Sequence, residues 1–182
     1  LKYLIEIKKI KIIKMEVIRN IEPKNNFLSK VKKLCEKNKC LLIFDECTSG
    51  FRLALGGLHK KFRVNPDICI FGKALGNGYP ITAIIGREEV MKFANNSFIS
   101  STFWSDRIGS VAALETIKIF EKTKAWKEIN KKSKLILKRW KQIAKKTKVE
   151  IETFGLNGIV KFKFKSNHHN LLKTFLTQEM LN

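Results

Sequence analysis

Residues 41–86 read LLIFDECTSGFRLALGGLHKKFRVNPDICIFGKALGNGYPITAIIG, and this stretch decides the fold. An apolar run, Leu41 to Phe44, stops abruptly at two carboxylates, Asp45 and Glu46. A second run, Ile68 to Phe71, stops at Gly72–Lys73 and is followed by Gly76 and Gly78. Short apolar runs between turn signals read as strands buried on both faces, in a parallel or mixed sheet covered by helices. Ligands of such sheets sit in the crevice beyond the carboxyl ends of the strands. Two neighbouring strands would therefore bring an acid and a lysine, 28 positions apart in sequence, to one crevice.

Simpler accounts exist for each residue. LLIFDE also reads like the magnesium-binding strand of a P-loop nucleotide-binding domain. That domain needs G-x-x-x-x-G-K-[ST], and here Ala74 follows Gly72–Lys73. A lysine at a strand end is usually a solvated one. Lys73 stands apart from the other lysines by its setting, apolar before and glycine-rich after, because glycines permit positive φ and close approach to a ligand.

Working outward, IKIIKMEV (10–17) reads as a strand ending near Glu16. Asn25 or Asn26 is placed to cap a helix in which Phe27, Leu28, Val31, Leu34 and Cys35 recur at helical spacing, with Lys30, Lys32, Lys33 and Lys37 outside. The β-α-β run into Cys40–Phe44 predicts a parallel pair with a right-handed crossover. Between the two key strands lies a long loop that carries Arg52, a candidate site contact, and His59, which has no partner at metal-ligand spacing and reads as a loop residue. ITAII (81–85) is a further strand. REEVMKFA follows as a short helix with Val90 and Phe93 or Ala94 inward. Ser97 to Ser101 form a polar turn before Thr102, and Gly109 precedes a helix from Val111 to Glu121. Trp126, Ile129, Ile136, Trp140 and Ile143 mark a core-facing stripe. Val149–Phe154 and Ile159–Lys165 are strands joined at Gly155–Gly158, the second with one wet face, and Leu171, Leu172, Phe175 and Leu176 mark a last helix.

The net charge of +21 invites a nucleic-acid reading. The basic residues, however, are 31 Lys against 6 Arg, with Ile and Asn also abundant. That skew suits an AT-rich codon pool, whereas base reading favours arginine; neither nucleic acid nor membrane is expected as a partner. Four cysteines without C-x-x-C spacing speak against zinc and suit a reducing cytoplasm. The apolar amino terminus is broken by Lys8, Lys9, Lys11 and Lys14, so it reads as neither signal peptide nor membrane span.

FDECTSGFR, PDICIFGKALGNGYPITAIIG and FISSTFWSDRIGSVAALETI, in this order, resemble the class III pyridoxal-phosphate aminotransferases, most closely the glutamate-1-semialdehyde aminomutase branch. The resemblance is dense from Phe44 to Ile117 and looser after. It implies an α/β fold: residues 1–122 as the C-terminal half of the large cofactor-binding domain of a fold type I transferase, and 123–182 as the start of a small α+β domain. Asp45 would pair with the pyridinium nitrogen, and Lys73 would form the Schiff base with pyridoxal 5'-phosphate. Thr102 would reach the cofactor phosphate of the partner subunit in a homodimer. Cys47 stands where the family usually has valine against the ring, and Trp104-Ser105-Asp106 replaces commoner small and polar residues.

The implied function is transfer or shift of an amino group between an amino donor and a carbonyl acceptor. Lys73 would anchor the cofactor and carry protons, in a desolvated site that favours the neutral amine. Asp45 would keep the ring nitrogen protonated, and Glu46 would orient Asp45 or nearby loops. Family members are over twice as long, and the phosphate-cradling loop and ring-stacking aromatic are not in this sequence, so it reads as an internal fragment. The alternatives are a non-catalytic fragment and a magnesium–nucleotide domain built on LLIFDE.

Overall fold

The computed structural model describes residues 1–181. A short helix α1 (Lys2–Glu6) precedes strand β1 (Ile12–Glu16), helix α2 (Phe27–Lys37) and strand β2 (Leu41–Asp45). Strands β3 (Ile68–Phe71) and β4 (Ala83–Gly86) complete a sheet of order β1-β2-β3-β4. The first three strands are parallel, and β4 pairs antiparallel with β3. Adjacent strand ends at Asp45 and Phe71 follow from the register, which sets Phe44 beside Cys69 and Asp45 beside Ile70.

Only one face of this sheet is fully covered. Leu42 and Phe44 are inaccessible to solvent, and Cys69 and Phe71 nearly so, while Leu41, Ile43, Asp45, Ile68 and Ile70 on the other face are half-buried. The reading of both strands as buried on both faces therefore holds on one side within this chain. Against the covered face lies α2, whose Leu28, Val31 and Cys35 are buried. Phe27 points outward instead, at 46% exposure. Asn26 takes the cap position in a left-handed conformation, with no side-chain hydrogen bond. Lys32, expected outside, is drawn to the buried Asp67, which also receives Arg87 and the Leu42 N–H. Burial alone would raise the Asp67 carboxyl; these three donors outweigh it and hold the group below the usual range.

Beyond the sheet come α3 (Glu88–Met91), α4 (Arg107–Thr123), α5 (Ala125–Thr147), a hairpin of β5 (Ile151–Leu156) and β6 (Ile159–Phe164), and α6 (His169–Glu179). In and after α3, Val90 and Ala94 are partly covered while Phe93 is exposed. Helix α4 starts earlier than its apolar pattern implied. The Asp106 carboxylate accepts the Ile108 N–H at 2.8 Å and caps the helix, so Gly109 sits inside the first turn. There a Cβ would stand 3.2 Å from that of Ile81, so the missing side chain lets α4 approach the chain before β4.

In α5 the inward residues are Trp126, Ile129, Ser133, Leu137, Trp140 and Ala144, whereas Ile136 and Ile143 of the expected stripe are exposed. Ser133 explains the shift in reading: its hydroxyl accepts the Gly158 N–H, so a polar residue holds the helix to the hairpin. The hairpin turn is Asn157–Gly158 alone, because Gly155 stays in the ladder opposite Val160. Edge-to-face contacts run from Phe71 through Phe51 to Phe120, and a tilted contact carries on to Trp126, tying the sheet to α4 and α5.

Candidate active site

The strand ends position the candidate residues. Asp45 closes β2 on the half-covered face; its Oδ1 accepts the Cys47 N–H at 3.1 Å. Its Oδ2 lies 2.9 Å from Nζ of Lys14, which reaches across from β1. The Lys14 ammonium, seconded by the Cys47 N–H, holds the Asp45 carboxyl below its ordinary range against a smaller opposing effect of burial.

Lys73 opens a turn of 3-10 helix, Lys73–Leu75, directly after β3. Its φ of +46° is left-handed, which costs a side-chain-bearing residue about 1–2 kcal/mol. The turn holds it there: the Lys73 carbonyl accepts N–H bonds from Gly76 and Asn77. Among the described residues nine other non-glycine positions, four of them lysines, share this conformation, so what marks Lys73 is its place at the end of β3 beside Asp45's strand. The Lys73 amine donates to the Thr48 hydroxyl at 2.6 Å.

The two glycines after Lys73 divide their work. At Gly76 a side chain would run into the Tyr79 carbonyl and Ile81, whereas Gly78 has φ +112° and open space around it. Cys47 lies between the acid and the lysine, its Sγ 3.4 Å from where a Cβ on Gly72 would stand. Burial and the neighbouring Asp45 push its thiol upward. A cleft of about 800 Å³ opens beside Lys73, lined also by Tyr79, Thr82, Ser100, Ser101 and Trp104.

Two expectations come out differently. Lys73 is exposed, so this segment does not itself supply the desolvated setting expected of it. Arg52 turns away from the Lys73 cleft: its Nε donates to the Thr48 carbonyl, and its side chain lines a second cleft with Asn77, Tyr79 and Glu115. Thr102, expected to serve the partner subunit's site, is exposed in the segment before α4 and does not line the Lys73 cleft of its own chain.

Glu46 and His59 form a separate buried constellation. His59 is no solvated loop residue; it sits in a 3-10 turn, Leu58–Phe62, at 8% exposure. The Glu46 carboxylate, wholly buried, accepts the backbone N–H groups of Leu58 and His59, the Ser49 hydroxyl and the His59 ring at Nδ1. Burial favours the neutral acid, but these hydrogen bonds outweigh it and hold the carboxyl below its usual range. Glu46 therefore anchors the 46–59 loop and does not touch Asp45. At Gly57 any side chain would collide with the His59 ring and approach Glu46. Donor atoms of Glu46, His59 and Cys69 lie within 4.8 Å of one another, the right types for a metal. The carboxylate is, however, already filled by four hydrogen-bond donors. Burial and the Glu46 charge also push the Cys69 thiol up to about 12, against the thiolate a metal needs.

Sequence reading missed Lys14, Thr48 and the role of His59. A signal existed for Lys14: it is a charge inside an apolar strand, on the alternating set that faces Asp45's side. Thr48 and His59 carried none, because their partners are set by loop closure.

A carboxylate and a strained lysine at neighbouring ends of a parallel sheet belong to a known architecture. The FumI protein of Sphingopyxis sp. MTA144, solved in its PLP internal aldimine form, matches with a TM-score of 0.79 at 22% identity, over 88% of this chain and 40% of that one. Ornithine aminotransferase of Plasmodium yoelii matches with a TM-score of 0.73 at 25% identity, over 88% and 44%. The fold is thus part of the large domain of a fold type I pyridoxal-phosphate-dependent transferase. The Aminotransferase class-III family matches residues 20–180, and the chain belongs to that family.

Among curated relatives, 3-aminobutyryl-CoA aminotransferase of Cloacimonas acidaminovorans is 38% identical over 86% of this chain and 38% of its own length. Glutamate-1-semialdehyde 2,1-aminomutase of Acetivibrio thermocellus is 32% identical over 89% and 35%. The chain therefore spans less than two fifths of either relative. Pyridoxal phosphate is the cofactor the family implies, and the side chains present suit it: an amine for its aldehyde and a carboxylate for its ring nitrogen, on adjacent strand ends. Among the described residues no helix is long and apolar enough to cross a membrane.

Proposed function

We propose that this chain is the cofactor-anchoring segment of a pyridoxal-phosphate enzyme that transfers or shifts an amino group, with Lys73 as the anchoring lysine. The observation that carries the reading is the placement of Lys73 directly after β3 while Asp45 ends the neighbouring parallel strand. When bound, the cofactor supplies an aldehyde and an electron-accepting ring. Lys73 anchors it and, once released, moves a proton at its Nζ, with the Thr48 hydroxyl receiving that amine. Asp45 is the negative partner for a protonated ring nitrogen, and Cys47 flanks the ring.

The test is borohydride reduction of the full-length protein with pyridoxal phosphate, followed by peptide mapping. A label on Lys73 is expected; a label on another lysine, or none, overturns the assignment. The magnesium–nucleotide alternative loses its second acid, since Glu46 is buried and fully hydrogen-bonded.

Residues 1–122 form, in this reading, the C-terminal half of the large domain, and 123–182 the beginning of the small one. The enzyme works as a cytoplasmic homodimer in which Thr102 serves the partner's cofactor phosphate. Support for the interface is the apolar surface around Thr102: Phe98, Ile99, Phe103, Trp104, Ile108 and Val111 are all exposed. Mixing Thr102→Val with Lys73→Ala full-length subunits should restore part of the activity, because one hybrid site is intact. No recovery after confirmed subunit exchange counts against the shared site.

A further inference from the structure

Lys14 is an anomaly that the reaction does not explain. On β1, Ile12, Lys14 and Glu16 alternate onto the half-covered face, and the parallel register sets them beside Leu41, Ile43 and Asp45. Among the β1 residues on that face Lys14 is the one cation, set between the apolar Ile12 and the carboxylate Glu16. Its ammonium reaches diagonally to the next strand and lies 2.9 Å from Oδ2 of Asp45. The other oxygen already holds the Cys47 N–H. Both oxygens of the carboxylate proposed to hold a cationic ring nitrogen are therefore engaged, one of them by a cation that belongs to the chain.

We propose that Lys14 is a positioning residue that tunes Asp45: by neutralising the carboxylate from β1, it weakens Asp45's hold on a protonated pyridine nitrogen and so sets both cofactor affinity and ring protonation. The inference rests on the cofactor reading above. The physics is competition between like charges for one anion. A second cation brought to Asp45 gains the attraction of the carboxylate but meets Lys14 a few ångströms away. The Lys14 side chain is 57% exposed, so water screens part of that repulsion and the ammonium has room to swing aside. The effect is therefore a tuning one, about fivefold in affinity at low salt and less at high salt.

The experiment compares full-length wild type with Lys14→Met, Lys14→Gln and Lys14→Arg. It measures the dissociation constant for pyridoxal phosphate and the nitrogen-15 shift of the bound, labelled ring. Expected are roughly fivefold tighter binding and a shift toward the protonated nitrogen in both neutral variants, with Lys14→Arg like wild type. The gain should shrink as salt is raised. A merely structural role for Lys14 would move neither the ring shift nor its salt dependence. Unchanged affinity and ring shift in Met and Gln variants overturn the proposal, as does weaker binding, which would make Lys14 a direct ligand contact. If wild type takes up no cofactor and Lys73 is never labelled, the cofactor reading itself fails, a result distinct from equal binding by all four proteins.

Discussion

Replacing Glu46 by glutamine keeps the shape of a wholly buried side chain but turns one acceptor oxygen into a donor. Four N–H and O–H donors point at the carboxylate, Ser49 Oγ and the Leu58 N–H at Oε2, the His59 N–H and His59 Nδ1 at Oε1, with the Cys69 thiol a distant fifth at 4.0 Å from Oε1. If the new NH2 sits at the Oε2 side, the Ser49 hydroxyl can turn and accept from it, but the Leu58 N–H loses its partner. If it sits at the Oε1 side, the His59 ring can accept in its other tautomer, but the His59 N–H loses its partner. Either way one buried backbone donor is orphaned, which costs about 1–3 kcal/mol, and the remaining bonds lose their charge-assisted strength. A total of about 2–4 kcal/mol follows, a large share of the ~5–15 kcal/mol that holds a domain together. With a urea slope of about 2 kcal/mol per molar, the midpoint should fall by roughly 1–2 M at neutral pH. The pH dependence has a definite sign. Because the folded Glu46 carboxyl is held below its ordinary value, its contribution is complete above about pH 4.3 and fades as pH falls through the lower folded value. The gap between wild type and Glu46→Gln should therefore narrow in acid. A midpoint equal to wild type at neutral pH, or a gap that stays constant into acid, would refute the anchoring role.

Asp45→Asn should behave in the opposite way. Its side chain is a quarter exposed and its Lys14 partner more so, so the urea midpoint should move little, while turnover of the full-length enzyme falls on the order of a hundredfold or more; near-normal turnover would remove Asp45 from the site. Asp67→Ala orphans the buried Leu42 N–H and leaves Lys32 only Glu36, 3.6 Å away, and should cost about 1–3 kcal/mol by denaturant titration. Thiol labelling of the native protein should reach Cys47 first, because it alone of the four is not buried. Cys35 and Cys69, pushed up to about 11 and about 12, should react only on unfolding, and mass mapping of the adducts checks the order.

The sheet and the two candidate ends were legible because their signals are local. An apolar run has to become a strand, and a run that ends in Asp-Glu or Gly-Lys has to end at the sheet's edge, wherever the rest of the chain goes. The reading of His59 failed for the complementary reason. Glu46 and His59 are thirteen positions apart, and the spacing of a hydrogen bond closed by a loop has no period to detect. Helix α5 shows the same limit. Its stripe was read from hydropathy through Ile136 and Ile143, but a serine bonded to the hairpin turns the inward face toward Ser133 and Leu137.

By itself the sequence determined the β-α-β beginning, the parallel pairing it requires, and the delivery of Asp45 and Lys73 to one edge. All three follow from side-chain period and chain chirality, which act over a few residues. Tertiary structure decided everything that depends on which groups meet. It turned Glu46 away from Asp45 into a buried anchor. It placed Thr48 on the Lys73 amine and carried Arg52 off to another cleft. It set a lysine from β1 against the carboxylate of Asp45. It also left the second face of the sheet half-covered, although the continuous apolar strands call for cover on both sides. A strand's composition states what it must bury, but only the packing of distant segments decides what buries it.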